Sequence, residues 1–202
     1  MHCLHKGFVA VILTLLVSGC AARAKTDGVS PDSLTPLDWV SLSKPSSSHQ
    51  LLDMFAGTWD VQVSSWSDPK ASPDISSGLS RSKWILGNRF LEERFEGSAG
   101  GQYYKGRGIM GYDGGARVFT SVWMDSLNTS MAISKGTFSP ESKTFELLGE
   151  VYDPLMGRTK ETHTEIRLVS NDEYEINMID TAPNGRKFRS LSLVYRRKKE
   201  VS

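Results

Sequence analysis

The sequence is poor in the features that usually announce a chemistry. It holds only two cysteines, Cys3 and Cys20, and Cys3 falls in a segment expected to be removed. No disulfide is therefore expected in the mature domain, even in a compartment that would allow one. Charge of either sign is not in excess: 24 basic against 23 acidic residues leave +1, no footprint for nucleic acid. The one basic cluster, Arg196-Arg197-Lys198-Lys199, is accounted for by a solvated C-terminus. The apolar run from Phe8 to Val17 is too short to cross a bilayer as a stable helix. There is no H-E-x-x-H, C-x-x-C, phosphate loop or Ser-His-Asp ordering, so no named enzyme class is indicated and no cofactor or metal is expected. What is present, 23% charged and 39% hydrophobic residues in 202, is the composition of one ordinary globular domain with tails.

The N-terminal stretch reads as an address. Lys6 and the α-amino group precede the Phe8 to Val17 core, which ends in Leu16-Val17-Ser18-Gly19-Cys20. This resembles the lipobox of bacterial lipoproteins, in which small residues admit the peptidase and the cysteine thiol accepts the lipid. The resemblance implies a signal peptide over 1–19, acylation of Cys20 (palmitate among the chains) and the lipid bilayer as a partner. A plain signal peptide with Cys20 incidental is the competing reading. Ala21 after the cysteine implies, by resemblance to Gram-negative sorting, an outer-membrane anchor facing the periplasm. Several acyl chains hold a protein far more firmly than one. Residues 20–48 read as a tether rich in Ala, Ser, Thr and Asp, with Pro31, Pro36 and Pro45. Leu37, Trp39, Val40 and Leu42 are free either to dock on the domain or not.

The domain, 49–198, is organised around Leu51 to Trp66. Leu51, Leu52, Phe55 and Ala56 fall on one helical face; after Gly57, Trp59, Val61 and Val63 alternate with polar residues as in a half-buried strand. From there ten strands are predicted: 58–66, 77–86, 89–97, 102–112, 117–126, 129–139, 143–152, 159–169, 173–180 and 186–197. Gly87-Asn88 and Asp113-Gly114-Gly115 read as hairpins, and Gly97 to Gly101 as a loose loop. Short connections throughout predict an antiparallel up-and-down meander. So many strands must curl to hide their edges, and the expected fold is an all-β barrel of about 8–10 strands with a short N-terminal helix.

Gly57-Thr58-Trp59 after a short helix resembles the G-x-W opening of calycins, in which the Trp plugs one barrel end beneath a basic residue of the last strand. Arg196 or Arg197 would supply that cation–π contact here. Residues 44–198 also resemble the bacterial domain-of-unknown-function family 1579. The resemblance rests on Pro45, His49-Gln50-Leu51-Leu52, Trp84-Ile85-Leu86-Gly87-Asn88-Arg89-Phe90-Leu91-Glu92, Gly106-Arg107-Gly108-Ile109-Met110-Gly111-Tyr112-Asp113, Trp123-Met124-Asp125-Ser126 and Gly149 to Thr159. It implies a calycin-like barrel without implying an activity.

Among the polar constellations, Gly106 to Gly111 spells G-x-G-x-x-G but opens no helix; bends or close backbone approach explain it better than a dinucleotide. Glu161, His163 and Glu165 alternate on one face of a strand, and the more apolar Thr162, Thr164, Ile166 and Leu168 are expected inside, which leaves the His trio in solvent. Asp125 beside Trp123 either orients a ligand or caps the turn that follows. Glu92, Glu93, Arg94 and Glu96 straddle both faces of the third strand and, with Arg89, Arg107 and Glu150, form either an internal ion network or surface charge. The ligand-pocket candidates are Trp84, Tyr104, Tyr112, Trp123, Asp125 and Glu150. The function expected is capture of a small apolar or amphipathic molecule in a barrel closed by Trp59 and the 49–56 segment. An envelope interaction module with a filled barrel is the alternative, and an enzyme using Asp125 or Glu150 ranks last.

Overall fold

A computed structural model describes residues 36–153, 157–182 and 185–199. The expected signal peptide, Cys20 and the first part of the tether lie outside the described residues. Helix α1 (Pro36–Leu42) and the one-turn helix α2 (Ser47–Gln50) lead into a 3-10 turn, Leu51–Phe55. The strands are β1 (Gly57–Ser65), β2 (Asp74–Ile85), β3 (Phe90–Ala99), β4 (Gln102–Asp113), β5 (Val118–Asp125), β6 (Ala132–Ser139), β7 (Thr144–Asp153), β8 (Arg158–Ser170), β9 (Glu173–Thr181) and β10 (Lys187–Arg197). Each pairs antiparallel with the next, and β10 returns to β1 with Val61 opposite Tyr195, closing the barrel. Closure leaves no ladder of unpaired N–H and C=O groups for another chain to add to.

Two turns differ from expectation. The loose loop at Gly97 to Gly101 is a tight one, because Ala99 still pairs with Gln102 and only Gly100 and Gly101 turn the chain. Both have left-handed φ, +55° and +76°, the requirement of a two-residue hairpin that follows the strand twist. The Gly87-Asn88 hairpin is wider, since the last pair is Ile85 with Phe90 and Leu86 to Arg89 lie outside it. A further departure is α1, which occupies part of the expected tether. Its Trp39 is 60% exposed and its Val40 50%, so the helix leaves these side chains undocked.

The interior is unevenly filled. At the pole covered by the 3-10 turn, Leu52, Phe55, Trp59, Phe119, Phe145, Tyr174 and Tyr195 are buried. Phe145 sits among the rings of Phe55, Phe119 and Phe138 at centroid distances of 5.5, 4.9 and 4.6 Å. Such tilted and edge-on ring pairs stabilise beyond their buried area. Towards the other pole, Val63, Ile176, Met178, Leu191 and Leu193 point inward yet are only half-buried. Inward-facing residues that keep accessible surface mean a hollow.

Candidate functional site: a cavity inside the barrel

The hollow is a cavity of about 400 Å³, within the range of small-molecule sites. Its floor is Phe55, Tyr174 and Tyr195; its walls include Leu91, Phe95, Leu147, Ile166, Ile176 and Leu193; Ala99, Ala132 and Val151 lie towards the far pole. Among the described residues lining it there is no lysine, arginine or histidine. One acid faces it, Glu93.

Glu93 is placed by strand alternation: Leu91, Glu93 and Phe95 share the inward face of β3. Its Oε1 accepts hydrogen bonds from Ser80 Oγ on β2 at 2.7 Å and from Tyr195 Oη on β10 at 3.0 Å. Burial pushes the Glu93 carboxyl above the usual carboxylate range, and the two hydrogen bonds offset only part of that. The phenols of Tyr195 and Tyr174 are likewise raised well above their ordinary value, first by burial and then by Glu93 for Tyr195 and by Tyr195 for Tyr174. The site thus places a carboxyl and two phenols in an apolar chamber that disfavours their charged forms.

Nearer the far pole, Trp123 Nε1 donates to Tyr104 Oη at 3.0 Å. Burial raises the Tyr104 phenol to about 12, and the neighbouring Asp125 carboxylate adds to the rise. The indole of Trp123 lies against β4 at Gly106 and Gly108. A Cβ on Gly106 would overlap the six-membered ring, and one on Gly108 would come within 3.1 Å of it. The G-x-G of the fourth strand therefore makes room for an aromatic wall, the close approach expected of it.

The barrel's closed pole is fastened by Arg197. Its guanidinium lies 4.1 Å from the Trp59 ring centroid, while Nη1 donates to Ala56 O at 2.8 Å and Nη2 to Met54 O at 3.3 Å. Trp59 Nε1 donates to Phe55 O at 2.9 Å, so ring and guanidinium hold the same 3-10 turn from two sides. Gly57 has φ +129°, and a Cβ there would meet Arg197 Nη1 at 2.5 Å. Arg196, one residue earlier, points outward and pairs with Glu173 at 3.0 Å.

Of the six pocket candidates, Tyr104 and Trp123 line the cavity. The other four are placed elsewhere. Trp84 is on the inward face of β2 but beyond the floor, where its Nε1 donates to Asp53 Oδ1 at 2.7 Å and ties the strand to the 3-10 turn. Tyr112 packs under the helical segment, 4.9 Å from the Phe119 ring and edge-on to His49 at 5.6 Å. Asp125 ends β5 and accepts from the Leu127 and Asn128 backbone N–H groups at 2.8 and 3.1 Å, a turn cap. Glu150 is exposed on the outer face of β7, because Leu147 and Val151 take the inward positions. The same alternation splits the charges of β3: Glu92 pairs outside with Arg94 and Arg107 at 3.1 and 3.3 Å, and Glu93 alone turns in. His163 also lies outside, against Glu146 of β7, with Glu165 near both, while Thr162, Thr164 and Ile166 face the cavity. His49 packs against Tyr112 and accepts the Ser46 N–H at Nδ1; burial first and Arg89 second lower its pKa.

Glu93 was visible in the sequence only as one of four charges. Its shared parity with Leu91 and Phe95 was the signal that separates it from Glu92 and Arg94. Its partners Ser80 and Tyr195 had no local signal, being 13 and 102 residues away.

The family comparison decides the affiliation, with a match over residues 44–197 to "Protein of unknown function (DUF1579)". The chain belongs to the DUF1579 family. A search of curated proteins found no match. Among solved structures, this DUF1579 chain is similar to Rv2717c from M. tuberculosis at a TM-score of 0.56 and 16% identity, covering 77% of this chain and 100% of that one. A redesigned beta barrel, mFAP1, bound to DFHBI, matches at a TM-score of 0.37 and 17% identity over 75% of this chain and 100% of that one. At these identities the likeness to Rv2717c concerns the fold alone.

Proposed function

We propose that this DUF1579 protein is a bacterial envelope lipoprotein, held to the membrane through acylated Cys20, whose barrel binds a small apolar or amphipathic molecule. The observation that carries the binding half is the cavity of about 400 Å³, walled mainly by aliphatic and aromatic side chains, with Glu93 as its one acid among the described residues. A filled barrel would place those inward side chains in mutual contact, as at the Phe145 pole, and would leave them no surface. The Gly57-x-Trp59 opening and Arg197 on the Trp59 face support the calycin-like reading of this architecture. Neither Asp125 nor Glu150 borders the cavity, which weighs against the catalytic alternative built on them.

Native mass spectrometry of the protein purified gently from its source tests the binding half. A reproducible added mass that is lost on denaturation is expected; a bare mass, with no uptake of apolar probes, would overturn it. The anchor is tested separately by labelled palmitate, which should be incorporated by the native chain and not by Cys20→Ala. Persistent labelling of the variant would sink the lipoprotein assignment.

A further inference from the structure

Hydroxyls of Ser82, Ser121, Ser134, Thr162 and Thr164 are spread over the cavity lining, and Glu93 is the one carboxyl there among the described residues. Glu93 Oε1 is taken by two hydroxyl donors, Ser80 and Tyr195. No hydrogen bond to Oε2 is made among the described residues, although every fully enclosed side-chain nitrogen or oxygen there has a partner. Oε2 therefore retains surface, and the space that Glu93 borders is the cavity. Two donors on one oxygen suit the carbonyl oxygen of a neutral acid, whose two lone pairs they fill, and leave the other oxygen to carry the proton. The surroundings agree. The Ser80 hydroxyl on β2 and the Tyr195 phenol on β10 donate to Glu93, the phenols of Tyr104 on β4 and Tyr174 on β9 lie near it, and among the described residues no cation lines the chamber. Without a positive partner a carboxylate there would be a buried uncompensated charge.

Resting on the binding reading above, we propose that Glu93 Oε2–H is the anchor point of the cavity, and that it selects apolar molecules carrying one neutral hydrogen-bond acceptor, such as a ketone carbonyl. The hydrocarbon body fills the aliphatic and aromatic walls. The acceptor reaches the floor and meets the acid proton. A molecule of the same shape without the acceptor leaves that O–H unpaired, and such mismatches discriminate more strongly than small differences of volume. An ammonium group is disfavoured, because it would have to enter an apolar chamber and ionise the acid.

The test uses the full chain and three probes of one shape: 2-acetylnaphthalene, 2-ethylnaphthalene and 2-(naphthalen-2-yl)ethylamine, measured by equilibrium dialysis across a range of pH. The expected result is that the ketone binds at least about tenfold more tightly than the hydrocarbon, and that this preference fades as rising pH ionises Glu93. In Glu93→Gln, whose amide N–H stands where the acid proton stood, the preference should persist at every pH. In Glu93→Leu it should vanish while the hydrocarbon still binds; should that variant fail to fold, the contrast between native chain and Glu93→Gln decides. Equal binding of ketone and hydrocarbon to the native chain would overturn the anchor and leave the cavity as a binding site. Tightest binding of the amine would overturn the neutral-acceptor class. Binding of no probe would withdraw the cavity as a binding site, and the anchor with it.

Discussion

Two adjacent arginines at the end of β10 should behave very differently when removed. Arg197 donates to two carbonyls of the 3-10 segment, Ala56 O at 2.8 Å and Met54 O at 3.3 Å, and to Asn171 O at 2.9 Å and Asp172 Oδ1 at 3.0 Å across the β8–β9 turn. It also covers the Trp59 face at 4.1 Å. Its side chain is 31% exposed, so the outer contacts with Asn171 and Asp172 are screened and count for little. The two inner carbonyls matter more, since hydrogen bonds to a charged donor contribute about 1.5–3 kcal/mol each when shielded. The half-desolvated cation–π contact adds roughly 0.5–2 kcal/mol. Allowing for water that refills the site, Arg197→Ala should cost about 3–4 kcal/mol. For a domain of this length that is a fall in Tm of roughly 6–15 °C. Arg196→Ala removes one surface pair with Glu173 and should cost no more than about 1 kcal/mol. Arg197→Lys should fall between, because an ammonium cannot serve two carbonyls and stack on the indole together. Thermal unfolding followed by tryptophan fluorescence and circular dichroism gives all three values. A double-mutant cycle with Trp59→Leu then isolates the stacking, expected at about 1 kcal/mol of coupling. If Arg196→Ala and Arg197→Ala proved equally mild, the closed pole would not depend on this lock.

Other outcomes follow from the same geometry. Because the folded Glu93 pKa is raised by burial, its contribution is fully present below the unfolded carboxylate value and is lost as pH rises through the folded one. Glu93→Gln should therefore match the native chain in acid and exceed its stability in mild alkali; identical pH profiles in urea unfolding would contradict this. Gly106→Val should displace Trp123 and break its bond to Tyr104, seen as a shift in tryptophan emission, whereas Gly114→Ala, where the nearest atom to a new Cβ is Leu42 O at 3.5 Å, should leave the emission unchanged. Leu147→Ala, at 1% exposure beside the cavity, should destabilise by roughly 2–4 kcal/mol, towards the high end because the closed barrel wall cannot collapse into the added space. Leu193→Trp should fill the chamber, abolish probe binding and leave the barrel folded, as checked by circular dichroism and dialysis together.

The strands were legible because each carries alternation bounded by turn residues, and every predicted strand overlaps an observed one. The strand parity of Thr162, Thr164 and Ile166 likewise told inside from outside on β8. Parity on β4 and β5 puts Tyr104 and Trp123 on the inward face, but it does not give depth, and depth separates them from Trp84 and Tyr112. Those two share the inward face yet sit in the packed pole, because the 3-10 turn descends onto them there. Asp125 escaped for a related reason: inward parity at the last residue of a strand puts a carboxylate over the turn, not in the chamber. Glu146, opposite Glu165 on the next strand, completes the outer cluster around His163 in place of Glu161. No reading of one strand reveals its neighbour's register. The two misjudged turns have the same origin, since the pairing of Ala99 with Gln102 is a property of two strands.

The covered pole has a consequence for orientation. The end of α1 and the 3-10 turn meet the barrel there: Ser43 O accepts from Arg89 at 3.0 Å, Leu42 O lies by the Gly114 turn, and the 3-10 turn is clasped by Arg197. The described chain thus enters the barrel from its stoppered end. The opposite pole, where Ala99, Ala132 and Val151 rim the chamber, lies across the barrel from that entry, so the segment that leads in and the rim of the hollow are separated by the length of the barrel.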